Sequence, residues 1–252
     1  MTPGRDVLMI VNKNEDPNQD NSATVPNYVS YSMNPDGSLT LPASSDLAFG
    51  SSPSQALCSP KNRIFFGIEF LTSRLTSSKL GTDRVLQPVS IFDPPPGSGD
   101  HFLGGVVNPK KRILYVGFPV GRTIGVYRYS TTGTLAFNRM VQNPGGLVCW
   151  LATNADGTLL FTSETGSGTV TSYSLAAPLN PVVLQHLDLS GDGQTPSNIA
   201  LDPSGQFLYV LAGHNLHVLN VDSAGNMSET LDPVVLPVPD GETPLGLAVI
   251  QK

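Results

Sequence analysis

Val106-Val107 followed by Asn108-Pro109-Lys110-Lys111-Arg112-Ile113-Leu114-Tyr115-Val116-Gly117 decides the fold. It reads as an apolar strand, a turn of Asn, Pro and Lys, and a second apolar strand built on Leu-Tyr-Val. The line recurs as Thr153-Asn154-Ala155-Asp156-Gly157 before Leu159-Leu160-Phe161, and as Asp202-Pro203-Ser204-Gly205 before Phe207-Leu208-Tyr209-Val210. Ser59-Pro60-Lys61-Asn62 before Ile64-Phe65-Phe66 is a weaker copy, and Val7-Leu8-Met9-Ile10-Val11 is a second strand with no first strand ahead of it. The second strands begin at Val7, Ile64, Ile113, Leu159 and Phe207, separated by 57, 49, 46 and 48 residues. That period is the size of a four-stranded propeller blade.

A third strand follows in each copy, at 28–33, 88–92, 123–129, 169–175 and 215–221, most of them alternating apolar and polar residues. The missing first strand of the first copy is found at the other end of the chain. Residues 243–250 read like the first strands at 195–201 and 52–57. The expected fold is therefore an all-β, five-bladed β-propeller with four antiparallel strands per blade, its first blade closed by the C-terminal strand. Such closure satisfies edge groups that an open array leaves unpaired and would make the ring complete. The blades are 243–251 with 6–50, then 52–98, 99–143, 144–190 and 194–240, in a single domain.

Composition agrees with short strands and tight turns. The chain has 252 residues with Gly 25 and Pro 22, 39% apolar and 13% charged residues. The net charge is −6, and the densest basic cluster, Lys110-Lys111-Arg112, falls in a turn, which argues against a nucleic-acid partner. The longest apolar runs are far too short for a membrane span, and no signal-peptide core is present. The low charge suits a secreted mature protein as well as a cytosolic one. Cys58 and Cys149 occupy different repeat positions, so free thiols are expected in place of a disulfide framework. Asn226-Met227-Ser228 is a formal glycosylation sequon.

Blade geometry places the loops joining strands two and three on one face, with those joining successive blades. The two longest expected insertions, 12–27 and 70–85, lie there, where binding and catalysis concentrate. Strand two ends near Asn12 and Asn14, Glu69, Phe118, Glu164 and His214 in the five copies, and the starts of first strands add Asp100, His101 and Asn198. His101, Glu69, Glu164 and His214 are the candidate catalytic groups, because an imidazole titrates near neutral pH and a shielded glutamate is raised toward it. Arg74 and Arg122 would hold an anionic substrate, with Asn12, Asn14, Phe118 and Asn198 as further contacts. His186 and His217 lie within strands and read as surface or packing residues. No His or Cys spacing announces a metal site, and no cofactor is implied.

The blade at 108–129, and Asp202-Pro203-Ser204-Gly205-Gln206-Phe207-Leu208-Tyr209-Val210 with Leu216-His217-Val218-Leu219, resemble the lactonase-type propellers. That family includes 6-phosphogluconolactonases and fungal muconate-lactonising cyclases, whose members usually carry seven blades. The resemblance covers roughly 100–250, and His101 matches the family's histidine at the start of a first strand. It implies a small-molecule substrate and lactone hydrolysis, cyclisation or isomerisation, with His101 and Glu69 or Glu164 exchanging a proton. A pocket lined by Phe66, Phe70, Phe118 and Trp150 would alternatively template a spontaneous ring closure. The competing readings are a carbohydrate-binding propeller, a protein-interaction propeller, and a glycosidase using Glu69, Glu164 and Asp100. Rim residues that differ from blade to blade favour a single asymmetric site.

Overall fold

Alternating apolar and polar residues, broken every few positions by Gly, Pro or Asx turns, commit the backbone to short antiparallel strands. The computed structural model describes residues 7–13, 25–60, 64–97, 101–191, 194–239 and 241–249, and no helix forms among them. The first sheet holds β1 (Val7–Asn12), β2 (Asn27–Met33) and β3 (Leu39–Asp46). The second holds β4 (Pro53–Cys58), β5 (Ile64–Glu69), β6 (Arg74–Leu80) and β7 (Leu86–Phe92). The third comprises β8 (Gly105–Val107), β9 (Ile113–Phe118), β10 (Thr123–Tyr129) and β11 (Leu135–Gln142). The fourth comprises β12 (Val148–Thr153), β13 (Leu159–Glu164), β14 (Thr169–Ser174) and β15 (Val182–Asp188). In the fifth, β16 (Pro196–Leu201), β17 (Phe207–Ala212), β18 (Asn215–Val221) and β19 (Met227–Glu229) are joined by β20 (Val234–Val235), which also pairs with β18. All five second strands, β1, β5, β9, β13 and β17, begin where the repeat places them.

Contacts divide the chain into two units. The first is Met1–Pro95 with His101–Leu103 and Tyr129–Ala136. Its core is Tyr28, Ile64, Phe65, Phe66, Ile68, Leu75 and Phe102, with Phe66 edge-on to Tyr129 at 4.9 Å. Three serine hydroxyls in this unit find backbone partners, as most buried polar groups do. Ser77 donates to Gly133 O (2.6 Å), Ser30 to Arg84 O (2.8 Å) and Ser54 to Leu103 O (2.5 Å).

The structure changes the reading of 70–85. No long insertion is there: a four-residue turn at 70–73 leads directly into β6, and the expected third strand at 88–92 belongs to the fourth strand, β7. The reason is compositional. Arg74-Leu75-Thr76-Ser77-Ser78-Lys79-Leu80 has one leucine near each end of a polar run, so two of its three buried residues, Ser77 and Ser78, carry no hydrophobic signal. The insertion at 12–27 does separate β1 from β2; of it, 14–24 lie outside the described residues.

The second unit is Pro96–Asp100 with Gly104–Arg128 and Phe137–Lys252. One of its clusters packs Ile113, Tyr115, Ile124, Val126, Val148, Leu151, Leu160, Tyr173 and Leu175; another centres on Phe161, Leu208, Val210 and Leu219. Asn108 joins the third and fourth sheets. Its Oδ1 accepts the Lys110 and Lys111 N–H groups, and its Nδ2 donates to Gly157 O at 3.0 Å. Gly157 has φ 66°, and a Cβ there would stand 2.5 Å from Asn108 Oδ1, so the turn requires glycine twice over.

The expected closing strand is a second correction. Residues 241–249 form no strand, and the first sheet has three strands among the described residues. Pro244 offers no N–H and Gly246 no side chain to pack, which weakens a strand at that point. Instead Ser197 Oγ donates to Pro244 O (3.3 Å) and Asn198 Nδ2 to Leu245 O (2.9 Å). No helix of the described residues is long and apolar enough to cross a membrane. Cys58, half-buried, and Cys149, buried, are both free.

Candidate functional site

In the first unit, β5 ends on Glu69, paired in register with Pro53 and Arg74. The turn at 70–73 reverses the chain, and its last residue, Ser73, takes a left-handed φ of 52°. His101–Leu103 runs past this turn. The His101 N–H donates to Ser73 Oγ (3.0 Å), its Nδ1 donates to Phe70 O (2.8 Å), and its ring stacks on Phe70 at 4.7 Å and 28°. A carbonyl only accepts, so Nδ1 carries a hydrogen, and the neutral ring is the tautomer with its lone pair on Nε2. Lys13 Nζ lies 5.9 Å from the Phe70 ring centre.

Glu69 is 4% exposed, and Thr72 Oγ1 donates to its Oε2 at 2.7 Å. Burial raises its carboxyl; the Thr72 bond and the Arg74 charge oppose this without cancelling it, so it stands above the usual carboxylate range. The Tyr28 hydroxyl is buried without a hydrogen-bond partner, and burial, then the Glu69 charge, hold it in the neutral form. Arg74 is half exposed and 3.8 Å from Asp93.

Glu164 ends β13 in the second unit, at the position Glu69 has on β5, but its surroundings differ. It is fully buried. Asn143 Nδ2 donates to Oε1 (2.9 Å), Thr169 Oγ1 to Oε2 (2.9 Å), and the Thr162 hydroxyl to Oε1. Burial pushes its carboxyl up to about 7, against the lowering effect of those donors. Asn143 also donates to the Tyr173 hydroxyl (2.7 Å) and accepts the Gly145 N–H (2.7 Å). Gly145 lies so close that a Cβ there would be 2.4 Å from Glu164 Cγ. Arg122 pins this cover, donating to Gly145 O (3.1 Å) and Pro144 O (2.8 Å).

Glu69, Arg74 and His101 thus gather at one turn, and Glu164 and Arg122 at the 143–145 connection. Asn12 Nδ2 donates to Asn27 Oδ1 (2.7 Å) across the ends of the first hairpin, and Phe118 is wholly buried at the end of β9. His214 Nε2 donates to Glu242 O (2.7 Å), so His214 and Asn198 both tether the C-terminal segment. Asn14 and Asp100 lie outside the described residues. A buried polar cluster escaped the sequence reading: His217, 0% exposed, meets Glu229 Oε1 (2.6 Å) and Gln194 Oε1 (3.0 Å), while Glu229 Oε2 accepts the Ser190 N–H. The signal was the inward register of His217 between Leu216 and Val218 on β18. Among the described residues, no group of three or more His, Cys, Asp or Glu side chains is placed to hold a metal ion.

No protein-family model matches the chain, and no curated protein matches it. Solved structures do. The periplasmic gluconolactonase of Pseudomonas aeruginosa superposes with TM-score 0.76 at 20% identity, over 93% of this chain and 70% of its own. A Bacteroides uniformis protein, provisionally assigned as a 6-phosphogluconolactonase, gives 0.72 at 16%, over 89% and 67%. The β-propeller domain of Cps50 (Swd1) from Myceliophteria thermophila gives 0.62 at 12%, over 81% and 65%. These likenesses define the fold as a β-propeller. The chain spans about two thirds of the length of these structures, and 62% of a functionally unknown protein from Desulfotomaculum acetoxidans.

Proposed function

We propose that the chain hydrolyses a small lactone at the turn 70–73, with His101 as general base and Glu69 as general acid. The observation that carries this reading is the Nδ1 bond from His101 to Phe70 O, which fixes the tautomer with a basic Nε2. Glu69 sits at the start of the same turn with its carboxyl raised by burial, a shift toward the protonated form that a general acid needs. In the proposed step, Nε2 takes a proton from water as the water oxygen bonds to the lactone carbonyl carbon. The ring C–O bond then breaks, Glu69 protonates the departing alkoxide, and the imidazolium returns its proton to Glu69, leaving a hydroxy acid. Arg74, half exposed beside Glu69, would orient an anionic substituent of the substrate. The gluconolactonase likeness supports the choice of a sugar lactone over other ring esters. Glu164, enclosed by donors, is assigned to organising its own unit.

The test is pH-stat hydrolysis of glucono-1,5-lactone by wild type, His101→Gln and Glu69→Gln, with thermal melts alongside. Each variant should lose about 10²- to 10⁴-fold in turnover while keeping the wild-type fold. Unchanged turnover in both rejects the site.

A further inference from the structure

A concavity lies in the second unit, on the face carrying the turns between first and second strands. It is a cleft of about 610 Å³ bounded by the turns at 154–158 and 203–206, by the end of β18 at 220–221 and by 222–223 of the connection to β19. That volume is in the range of small-molecule sites. Its walls are rigid. Asn154 Oδ1 accepts the N–H groups of Thr158 and Leu159, Asp202 those of Ser204, Gln206 and Phe207, and Asp222 those of Ala224 and Asn226.

Blade equivalence shows what is unusual here. The first residue of the second strand is Ile64 at 2% exposure and Ile113 at 6%, Val7 and Leu159 are half-buried, and Phe207, at 37%, is the most exposed of the five and lines the cleft with Leu159. An aromatic side chain with over a third of its surface in water, where two sister blades bury an isoleucine, is unfavourable for folding alone. Around it, the side chains of Asp156, Gln206 and Ser223 are exposed and hold no hydrogen bond among the described residues. No Lys or Arg lines the cleft, which disfavours phosphorylated or acidic ligands. The carboxylates of Asp202 and Asp222 are occupied by their own turns, so local negative charge is partly spent on backbone N–H groups.

We propose that this cleft binds a neutral saccharide, with a sugar ring stacked on Phe207 and its hydroxyls shared among Asp156, Gln206 and Ser223. An apolar ring beside amide, carboxylate and hydroxyl groups matches the alternating C–H and O–H surface of a pyranose. The site is separate from the lactone chemistry and does not depend on it.

The experiment is a titration of the full chain with cellotriose, maltotriose and xylotriose, read by amide chemical shifts, with spermidine as a cationic control. At least one trisaccharide should shift resonances confined to 154–159, 203–207 and 220–223. Phe207→Ala should weaken that binding about 10-fold or more. Phe207→Leu, which keeps an apolar residue on β17, should weaken it similarly if the first variant proves unstable. His101→Gln should bind as wild type does, which separates this result from any failure of the lactone reading. No shift with any trisaccharide, undiminished binding in both Phe207 variants, or shifts with spermidine alone would overturn the proposal.

Discussion

Glu69 and Glu164 end equivalent strands, β5 and β13, and each is followed by a four-residue turn into the third strand. One is left with a single side-chain donor, Thr72, beside a half-exposed arginine; the other is enclosed by Asn143, Thr162 and Thr169 under a glycine backbone. The repeat sets where a carboxylate stands, and its neighbours decide what the carboxylate does. At β5 the neighbours are a turn that holds a histidine. At β13 they are hydroxyls and an amide that consume both oxygens. The left-handed turn position follows the same division: Gly168 fills it after β13, whereas Ser73 after β5 uses its hydroxyl to accept the His101 N–H.

The largest expected consequence of this difference is structural. Glu164→Ala removes the acceptor of three donors at a site water does not reach, and should lower stability by about 3–5 kcal/mol in denaturant titration. The same truncation at Glu69 orphans only Thr72, which adjoins exposed residues, and should fall well short of that. Equal losses at the two positions would dissolve the contrast.

The next effect is in pH dependence. With its carboxyl near 7 in the folded chain and near 4.5 unfolded, Glu164 binds more proton in the native state between those values. Its contribution is therefore fully present below pH 4.5 and is lost as pH rises through 7, an effect of about 3 kcal/mol. Glu164→Gln cannot ionise, so it should flatten that part of the stability–pH curve and lose less stability than wild type as pH rises through 7. A slope unchanged in the variant would assign it to other groups. Glu69 shifts in the same direction, since burial is again the leading cause.

How much of this was legible in the sequence follows from what writes a signal. The second strands were legible to the residue because Ile64-Phe65-Phe66, Ile113-Leu114-Tyr115-Val116 and Phe207-Leu208-Tyr209-Val210 are apolar runs between turn residues. β6 was not legible, because two of its three buried positions are serines, and Ser77 finds its partner as far away as Gly133. Glu69 was legible as a polar residue at a strand end; His101, expected to open a first strand, instead lies four residues ahead of β8 with a left-handed φ of 74°, and the turn the two share was hidden while 70–85 read as a long loop. The enclosure of Glu164 depends on Asn143, 21 residues away in sequence, and on a close glycine approach that no periodicity records. Phe207 looked like one more core residue, because strand grammar does not say which end of an apolar run faces water.

The smallest expected effect concerns the cations beside the two carboxylates. Arg122 is fixed by two backbone carbonyls and closes the cover over Glu164. Arg74 is 46% exposed and its nearest anionic partner, Asp93, is 79% exposed at 3.8 Å, a geometry that solvent screens. Arg74→Ala should therefore change stability by less than about 0.5 kcal/mol. Its influence should surface in the titration of Glu69, because the Arg74 charge lowers that carboxyl. Removing it should move the acidic group in the pH–rate profile upward. A stability loss above about 1 kcal/mol in low salt that persists at 1 M salt would show that Arg74 packs as Arg122 does. In that case the two carboxylates would differ less in the rigidity of their surroundings than in the number of donors that reach them.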